Sequence, residues 1–525
     1  MNFLSRAWRY VSRRISKSIL LGITFFMIGN LVLIGLGISD AANNAKILTR
    51  KSMRAVVNYE VDNEKFWQYT DSLESDEERN EAYKNYPSIN RELALKFGED
   101  ERVKALNYLA TTTMYSDGFD NVPLGNEEKK AENNGGGGGA VTMMDGQTYE
   151  YKEPNIMIQT NIIPTMIEFT DDTNVIVEGR MYSQEDIDNA NKVAVITKEL
   201  AETNGLTVGD TIVLNSQQGG AMDAYYADMG ITLDMTKMEL EIVGIYTTKA
   251  DVDPNDQRFE WMAPYESPKN FILIPGSTLA EFNYTIAKAS YDHYLAQGQT
   301  DFIQTEPTLE SSYYANKVVY LLEDPLKVDS FVEDYQGELE EYTFLNANNE
   351  QFKKLAKPLD TLSFFANVIV WIVTLNAVVI ISLVTALTLK TREFEIGVLL
   401  ALGVSKVKVV LQLFTELIII AVLGFTLAVG SGSLIAGKVG DMVLDYQQSN
   451  QEEEEITTDN NYTWVGDQNY FTEVTQEQIL SQYHVTISPW LIIQIYVLGI
   501  GVVFISIVIP SAMIMRLNPK QILLA

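Results

Sequence analysis

One segment of the sequence has the spacing of a phosphate-binding loop, Gly432-Ser-Leu-Ile-Ala-Gly437-Lys438. Such a loop cradles phosphate oxygens with backbone N–H groups, and a Ser or Thr after the lysine holds Mg²⁺. Here Val439 follows the lysine, and the segment ends a long apolar run where a strand should precede it. The glycines are therefore expected to allow close packing of helices. We do not expect this chain to bind nucleotide.

A second segment, beginning with Asp251, Asp253 and Asn255, opens like a calcium-binding loop. Asp256 stands where the loop requires glycine, and Met262 stands where a bidentate glutamate should close it. The sequence therefore predicts no calcium site in this segment.

The composition argues against several other classes of functional site. The chain has no cysteine, which excludes thiol nucleophiles and Cys-ligated metals, and its two histidines are too few for a His-rich site. No serine lies in a nucleophile-elbow pattern. The net charge of −31 disfavours nucleic acid as a partner. We therefore expect no catalytic residue and no metal site.

Glu416 is a charged residue about two turns inside a long apolar run, where a charge is costly enough to suggest a role. One interpretation is a proton relay. The preferred interpretation is a structural residue near the inner membrane interface, paired with Lys408.

Four apolar stretches have about 20 residues or more, the length needed to cross a bilayer. They are Ile19–Ile38, Leu362–Leu389, Val409–Ala436 and Trp490–Met515. The first run is longer than the core of a cleaved signal peptide. The sequence thus predicts a membrane protein with four transmembrane α-helices and a large α+β extracytoplasmic domain inserted between helices 1 and 2.

The distribution of basic residues predicts the orientation. Residues 1–17 contain five basic residues and no acid, and residues 390–408 contain four basic and two acidic residues. No Lys or Arg lies between Lys438 and Arg516, where Glu452–Glu455 form an acidic run. By the positive-inside rule, both termini and the 390–408 loop are predicted to be cytoplasmic.

The outer region mixes helix and strand patterns. Acidic helices are predicted at Asn63–Tyr86 and Ile89–Phe97, and strands at Val103–Met114, Ile156–Phe169, Lys192–Ile196, Thr211–Leu214 and Met238–Tyr246. Glu127–Gly139 ends in five glycines and is predicted to be a linker.

Apolar residues recur in steps of three and four just before the second apolar run. They are Phe352, Leu355, Leu359, Leu362, Ala366 and Ile369. This heptad seam indicates a stalk helix that packs on another helix, or ordinary packing inside one subunit. Pro358 is predicted to kink or break the helix.

The loop between the second and third runs has the pattern of a short helix. Glu393 and Glu395 suit its start, and Gly403 suits its end. Ile396, Leu399 and Leu400 form an apolar stripe. Such a helix can lie on the bilayer or dock in a groove of a cytoplasmic partner.

The elements Arg392-Glu393, Glu395-Ile-Gly397 and Ala401-Leu-Gly403 resemble the coupling segment of MacB/FtsX-type ABC transporter permeases, in which a short helix engages the ATP-binding subunit. Similar patterns occur at Pro510–Ala512, Arg516–Leu523, Glu178–Ser183, Val193–Ile196, Glu199–Ala201, Gly205–Asp210 and Glu241–Ile245. The resemblance implies a coupling role for Arg392, Glu393, Glu395, Ile396, Gly397, Leu399, Leu400, Ala401, Leu402 and Gly403.

The apolar runs and the charge distribution predict the boundaries of the regions, and the resemblance identifies the coupling segment among them. They are a cytoplasmic basic helix at 1–17, transmembrane helices at 18–39, 359–390, 409–437 and 489–515, an extracytoplasmic domain with stalk at 40–358, a coupling segment at 391–408, an acidic outer loop at 438–488 and a cytoplasmic tail at 516–525. Tyr115–Ile156 and Asp445–Tyr483 are longer than the family pattern, and they are interpreted as insertions or contact surfaces of a subgroup.

The function that the resemblance implies is a permease that moves its outer domain when a separate subunit hydrolyses ATP. ATP and Mg²⁺ would bind to that subunit, and the substrate would be an exported peptide, lipid-linked or antimicrobial molecule. Further expected partners are a second permease copy or paralogue, membrane lipid and an extracellular accessory protein. One alternative is an FtsX-like regulator of a cell-wall hydrolase. Another is a passive adhesin, which would not need a coupling segment.

Overall fold

The computed structural model describes residues 3–13, 15–126, 140–142, 148–150, 153–217, 226–255, 259–299, 305–347, 349–450, 470–471 and 481–516. The predicted linker Glu127–Gly139 lies outside these residues. The chain divides into two compact units. The helical unit contains Met1–Met53, Glu350–Thr457 and Glu473–Ala525, and the sheet unit contains Arg54–Asn349 and Thr458–Thr472.

The helical unit contains seven α-helices within the described residues. They are α1 (Phe3–Arg13), α2 (Ile15–Ser52), α11 (Asn349–Lys390), α12 (Glu393–Ala401), α13 (Lys406–Asn450), α14 (Pro489–Ser506) and α15 (Val508–Arg516). Four segments of the described chain are long and apolar enough to cross a membrane: Ile15–Ser52, Ala356–Lys390, Lys406–Gly432 and Pro489–Ala512. The prediction of four transmembrane helices is therefore confirmed.

Small residues let the long helices of this unit pack closely. A Cβ atom added at Gly29 of α2 would lie 2.7 Å from Cβ of Ala428 on α13, and one added at Gly432 would lie 2.9 Å from a methyl group of Leu33. Helix α13 runs without interruption through Gly432 and Lys438. The segment is therefore helical, without the loop that phosphate binding requires, and Gly432 serves helix packing as predicted.

The heptad seam packs inside the chain. Leu359, Leu362 and Ala366 are buried in one cluster with Ile38, Ala41, Ala42 and Ala45 of α2. The hydroxyl oxygens of Ser39 and Ser363 are 2.9 Å apart, which adds a buried hydrogen bond to the same helix pair. Of the two interpretations, this contact matches packing within one subunit. The helix continues through Pro358, so the predicted break is wrong, and its contacts with α2 explain why the helix persists.

The sheet unit contains a ten-stranded mixed sheet and a separate two-stranded sheet among the described residues. Its twelve strands are β1 (Val56–Val61), β2 (Val103–Asp117), β3 (Ala140–Thr142), β4 (Thr148–Glu150), β5 (Ile156–Asn161), β6 (Asn174–Gly179), β7 (Val193–Thr197), β8 (Thr211–Asn215), β9 (Lys237–Thr248), β10 (Phe271–Pro275), β11 (Lys317–Leu322) and β12 (Thr343–Asn346) within the described residues. The order of the large sheet is β12-β1-β11-β2-β5-β10-β7-β9-β6, with β8 paired to β2 and β9, while β3 and β4 form a separate hairpin. Pairs β5–β10 and β7–β9 are parallel.

Most helices of the sheet unit are short, and the longest of those described, Gly276–Ala296, has 21 residues. They are α3 (Asn63–Ser72), α4 (Asp76–Lys84), α5 (Arg91–Gly98), α6 (Ile167–Thr170), α7 (Gln184–Asp188), α8 (Lys198–Asn204), α9 (Gly276–Ala296) and α10 (Val328–Tyr335) among the described residues. Strands β7 and β10 are buried along their whole length, as expected for the centre of a covered sheet. The predicted α+β character is confirmed.

Two predicted elements differ from the structure. The helix predicted at Asn63–Tyr86 is two helices, because Ser75 caps α4 in a capping box with Glu78. The strand predicted at Ile156–Phe169 ends at Asn161. There the Asn161 amide donates hydrogen bonds to the carbonyl oxygens of Leu106 and Thr165, which turns the chain toward α6.

Candidate functional site

The predicted coupling segment forms the short helix α12 between two membrane-spanning helices. Glu393 and Glu395 lie in its first turn, where carboxylates stabilise the positive end of the helix dipole. Gly403 follows the helix with φ of +85°, a conformation that favours glycine. The N–H of Val404 donates to the carbonyl oxygen of Leu399 at 3.1 Å, which closes the end of the helix.

The apolar stripe of the sequence analysis faces the protein itself. Ile396 is buried against Leu389, Val409, Leu413 and Ile514, and Leu400 is packed against the same cluster. Leu399 is half-buried and Gly397 is buried. The expectation that Ile396, Leu399 and Leu400 anchor a partner is therefore not supported by their position. Ile396 and Leu400 attach α12 to the helices beside it, and Leu399 is not part of this cluster.

A different set of apolar side chains points away from the chain, and we call it the outward face. It consists of Phe394, Val398, Ala401 and Leu402, of which Phe394 and Leu402 are 65% and 75% exposed. Steps of three and four place them on one side of the helix. Exposed apolar patches of this kind mark contact sites with proteins or membranes.

Arg392 is the buried centre of a polar cluster that we call the arginine junction. Its Nη1 donates to Oε2 of Glu416 at 2.9 Å, and its Nε donates to Oε2 of Glu395 at 3.3 Å. The guanidinium carbon lies 3.7 Å from the ring centroid of Tyr10. The Nε2 of Gln412 donates to the other oxygen of Glu416 at 2.9 Å. The junction thus joins helices α1, α12 and α13.

The structure differs from two predictions about site residues, the ion-pair partner of Glu416 and the position of Arg392. Glu416 pairs with Arg392, and Lys408 is exposed, so the predicted Glu416–Lys408 pair is wrong. Arg392 was expected at the partner contact, yet it lies inside the helical unit. Tyr10 was not predicted at all, because it is remote from Arg392 in sequence and no local pattern links the two.

In the segment that resembles a calcium loop, Asp251 and Asp253 accept hydrogen bonds from other residues of the chain. The carboxylate of Asp251 accepts from Nζ of Lys269 at 2.7 Å, which holds the pKa of Asp251 below its usual range. Asp253 accepts from the backbone N–H of Asn255 at 2.8 Å. Within the described part of the chain, no group of three or more His, Asp or Glu side chains is placed to hold a metal ion.

Four membrane-spanning helices, a sheet unit inserted after the first of them and a short helix between the second and third define a multi-span membrane protein. The FtsX-like permease C-terminal family matches residues 367–519, and the MacB-like periplasmic core domain family matches residues 119–306. These two matches together support a MacB/FtsX-type ABC transporter permease. The family implies an ATP-binding subunit as a partner.

Individual proteins are similar as well. An uncharacterized ABC transporter permease, YclI of Bacillus subtilis strain 168, is 29% identical over 440 residues, which cover 83% of this chain and 80% of the relative. The solved periplasmic region of MacB from Actinobacillus actinomycetemcomitans is 7% identical with a TM-score of 0.28, and covers 57% of this chain and 91% of its own. The extracellular domain of the noncanonic ABC-type transporter YknZ from Gram-positive bacteria is 11% identical with a TM-score of 0.26, and covers 55% of this chain and 99% of its own.

Proposed function

We propose that this permease binds a separate ATP-binding subunit through the outward face and passes the motion of ATP hydrolysis to its sheet unit. ATP and Mg²⁺ bind to the partner, and this chain contributes no catalytic residue. The observation that carries the proposal is the pair of opposite faces on α12. One face is fixed to the chain by Ile396, and the other presents Phe394 and Leu402 to solvent.

The arginine junction provides a path by which displacement of α12 is transmitted to other helices. Arg392 stands directly before α12 and bonds to Glu416 on α13, while its guanidinium covers Tyr10 on α1. A buried, charge-assisted hydrogen bond is shorter and stronger than a neutral one, so it resists separation. Displacement of α12 would then move α1 and α13 with it.

The orientation and the remaining partners belong to the same proposal. Both termini and residues 391–408 face the cytoplasm, and the sheet unit works outside with a second permease copy or paralogue and an extracellular accessory protein. The motion serves export of a peptide, lipid-linked or antimicrobial molecule. ATP-dependent resistance to such a compound would support export, whereas stimulation of a cell-wall hydrolase would favour the regulatory alternative.

The test is to place a charge on the outward face. Leu402→Asp and Phe394→Asp should each separate the ATP-binding subunit from the permease, because an unpaired charge would enter a desolvated contact. Ser405→Asp is the matched control. It adds the same charge just beyond α12, at a position that caps α13, where Asp is as favourable as Ser.

The measurement is co-purification of the ATP-binding subunit from membranes, with the yield of each permease variant as the folding control. We expect both outward-face variants to lose the subunit and Ser405→Asp to keep it. Retention of the subunit at the normal ratio by both variants would disprove docking through this face.

A further inference from the structure

Tyr470 belongs to the acidic loop between the third and fourth membrane-spanning segments, yet its ring is buried in the sheet unit at 2% exposure. It packs in an apolar cluster with Val56, Ala105, Leu109, Ile167, Val319 and Leu321. These side chains come from strands β1, β2 and β11 and helix α6. The loop therefore contributes a core residue to a unit formed mainly by another part of the chain.

The phenol oxygen of Tyr470 has partners suited to a hydroxyl group. It donates to Oε1 of Glu168, and it accepts from Nδ2 of Asn107 at 3.1 Å. The same Asn107 amide donates to both oxygens of the Glu168 carboxylate, at 3.1 and 3.0 Å. The backbone N–H of Ile167 donates to Oδ1 of Asn107 at 2.9 Å, so the amide is held in this orientation by the backbone.

Two cations complete the surroundings of the ring. The guanidinium carbon of Arg54 lies 5.6 Å from the ring centroid, and Nζ of Lys317 lies 5.7 Å from it. Both distances are within the range of cation–π attraction. Burial lowers the pKa of Lys317 to about 8 and raises the pKa of Tyr470 well above its usual range. The environment therefore favours a neutral phenol ring beside positive charge.

An apolar core residue would not need these partners. A phenylalanine at position 470 would fill the same volume but would leave Asn107 and Glu168 without the hydroxyl group, and buried polar groups are costly when they lose a partner. Tyr470 lies 302 residues from Glu168 in sequence, so the contact fixes a remote loop to the sheet unit.

We propose that Asn107, Glu168, Arg54 and Lys317 form a tyrosine-recognition site, which holds the loop between the third and fourth spans through Tyr470 and accepts a small phenol when that side chain is removed. The ligand class is a neutral phenol with a hydrogen to donate. The proposal does not depend on how the permease binds its ATP-binding subunit.

The first experiment measures whether Tyr470 holds the loop. The loop has no Lys or Arg, and of its glutamates Glu473 and Glu477 are the nearest to Tyr470 in sequence. Cleavage at these two sites by a glutamate-specific protease therefore reports on the Tyr470 contact in the purified full-length protein. Tyr470→Ala should raise the cleavage rate at these two sites by about tenfold or more, because loss of the Tyr470 contact releases the loop from the sheet unit. Tyr470→Phe should give an intermediate rate. Unchanged cleavage of Tyr470→Ala would overturn the proposal.

The second experiment tests chemical recognition by filling the vacated space in Tyr470→Ala. A buried cavity of this kind can bind a small aromatic molecule. In a thermal shift assay, 4-methylphenol should raise the unfolding temperature of Tyr470→Ala, and toluene, which has the same shape without the hydroxyl group, should raise it much less. Adding Glu168→Leu, which leaves no acceptor for the phenol O–H at this position, should remove most of the difference between the two compounds.

Tyr83→Ala is the control for non-specific effects, since Tyr83 is a half-exposed tyrosine of the same unit. Its unfolding temperature should not respond to 4-methylphenol. Equal effects of toluene and 4-methylphenol on Tyr470→Ala would show that the site only buries apolar surface, and the recognition proposal would then be wrong.

Discussion

Breaking the arginine junction should separate binding of the ATP-binding subunit from its coupling to the permease. The side chains of Arg392 and Glu416 are 8% and 5% exposed, so solvent does little to screen their ion pair. Removing one member of a buried pair leaves the other charge uncompensated, at a cost of about 3–5 kcal/mol. Arg392→Met and Glu416→Leu should each lose stability of this order.

The double variant Arg392→Met/Glu416→Leu distinguishes a true pair from two independent residues. It leaves neither charge buried alone, so its loss should be smaller than the sum of the single losses by about 2–3 kcal/mol. Lys408→Met is the control. Lys408 is exposed, and its replacement should change stability by less than about 0.5 kcal/mol.

The assays are thermal unfolding in lipid nanodiscs and ATP hydrolysis by the assembled complex. Because the outward face remains intact, the double variant should still co-purify with the ATP-binding subunit. The rate of ATP hydrolysis by that subunit should, however, no longer change when the permease variant is bound. Additive losses of stability, or a Lys408→Met effect as large as that of Arg392→Met, would refute the structural assignment of this pair.

Three further results are expected. Burial lowers the pKa of Lys317 to about 8, so the unfolded chain binds more protons than the folded chain between about pH 8 and the usual lysine value of 10.5. The free energy of unfolding should therefore rise with pH across that window by up to about 3 kcal/mol. Lys317→Met should flatten the matching rise in unfolding temperature, and an unchanged slope would contradict this assignment. Gly29→Val should cost about 1–3 kcal/mol because its Cβ meets Ala428, whereas Gly430→Val, with open space around it, should be tolerated, as yields of folded protein will show. Lys438→Ala should leave ATP turnover of the complex intact, because Lys438 lies in a continuous helix; loss of turnover would reopen the phosphate-loop interpretation.

Features that depend on local sequence could be predicted well. Four apolar runs of sufficient length gave the four spanning helices, and the charged start and glycine end of α12 gave its bounds to within a residue or two. Length, helix dipole preference and the conformational freedom of glycine act over a few neighbouring residues, so the printed sequence contains the needed information.

Features that depend on contacts between remote segments could not be predicted. Helix α12 is apolar on both sides, so its periodicity did not reveal that Ile396 faces inward and Leu402 outward. Glu416 had a basic candidate eight residues away in Lys408, but the bond goes to Arg392, which precedes it by 24 residues on a separate element. Tyr470 had no sequence signal at all, because its partners lie in distant strands.

The burial of Tyr470 makes the sheet unit a discontinuous domain, with consequences for how it can be isolated. A fragment limited to the main segment, Arg54–Asn349, would lack the residue that fills the space beside Glu168. Such a fragment would present an aromatic-sized hole lined by a carboxylate, an amide and two cations. Compounds or peptides selected against it could bind a surface that the intact permease keeps closed. A fragment that restores residues 458–472 through a short linker would be the sounder reagent for finding extracellular partners.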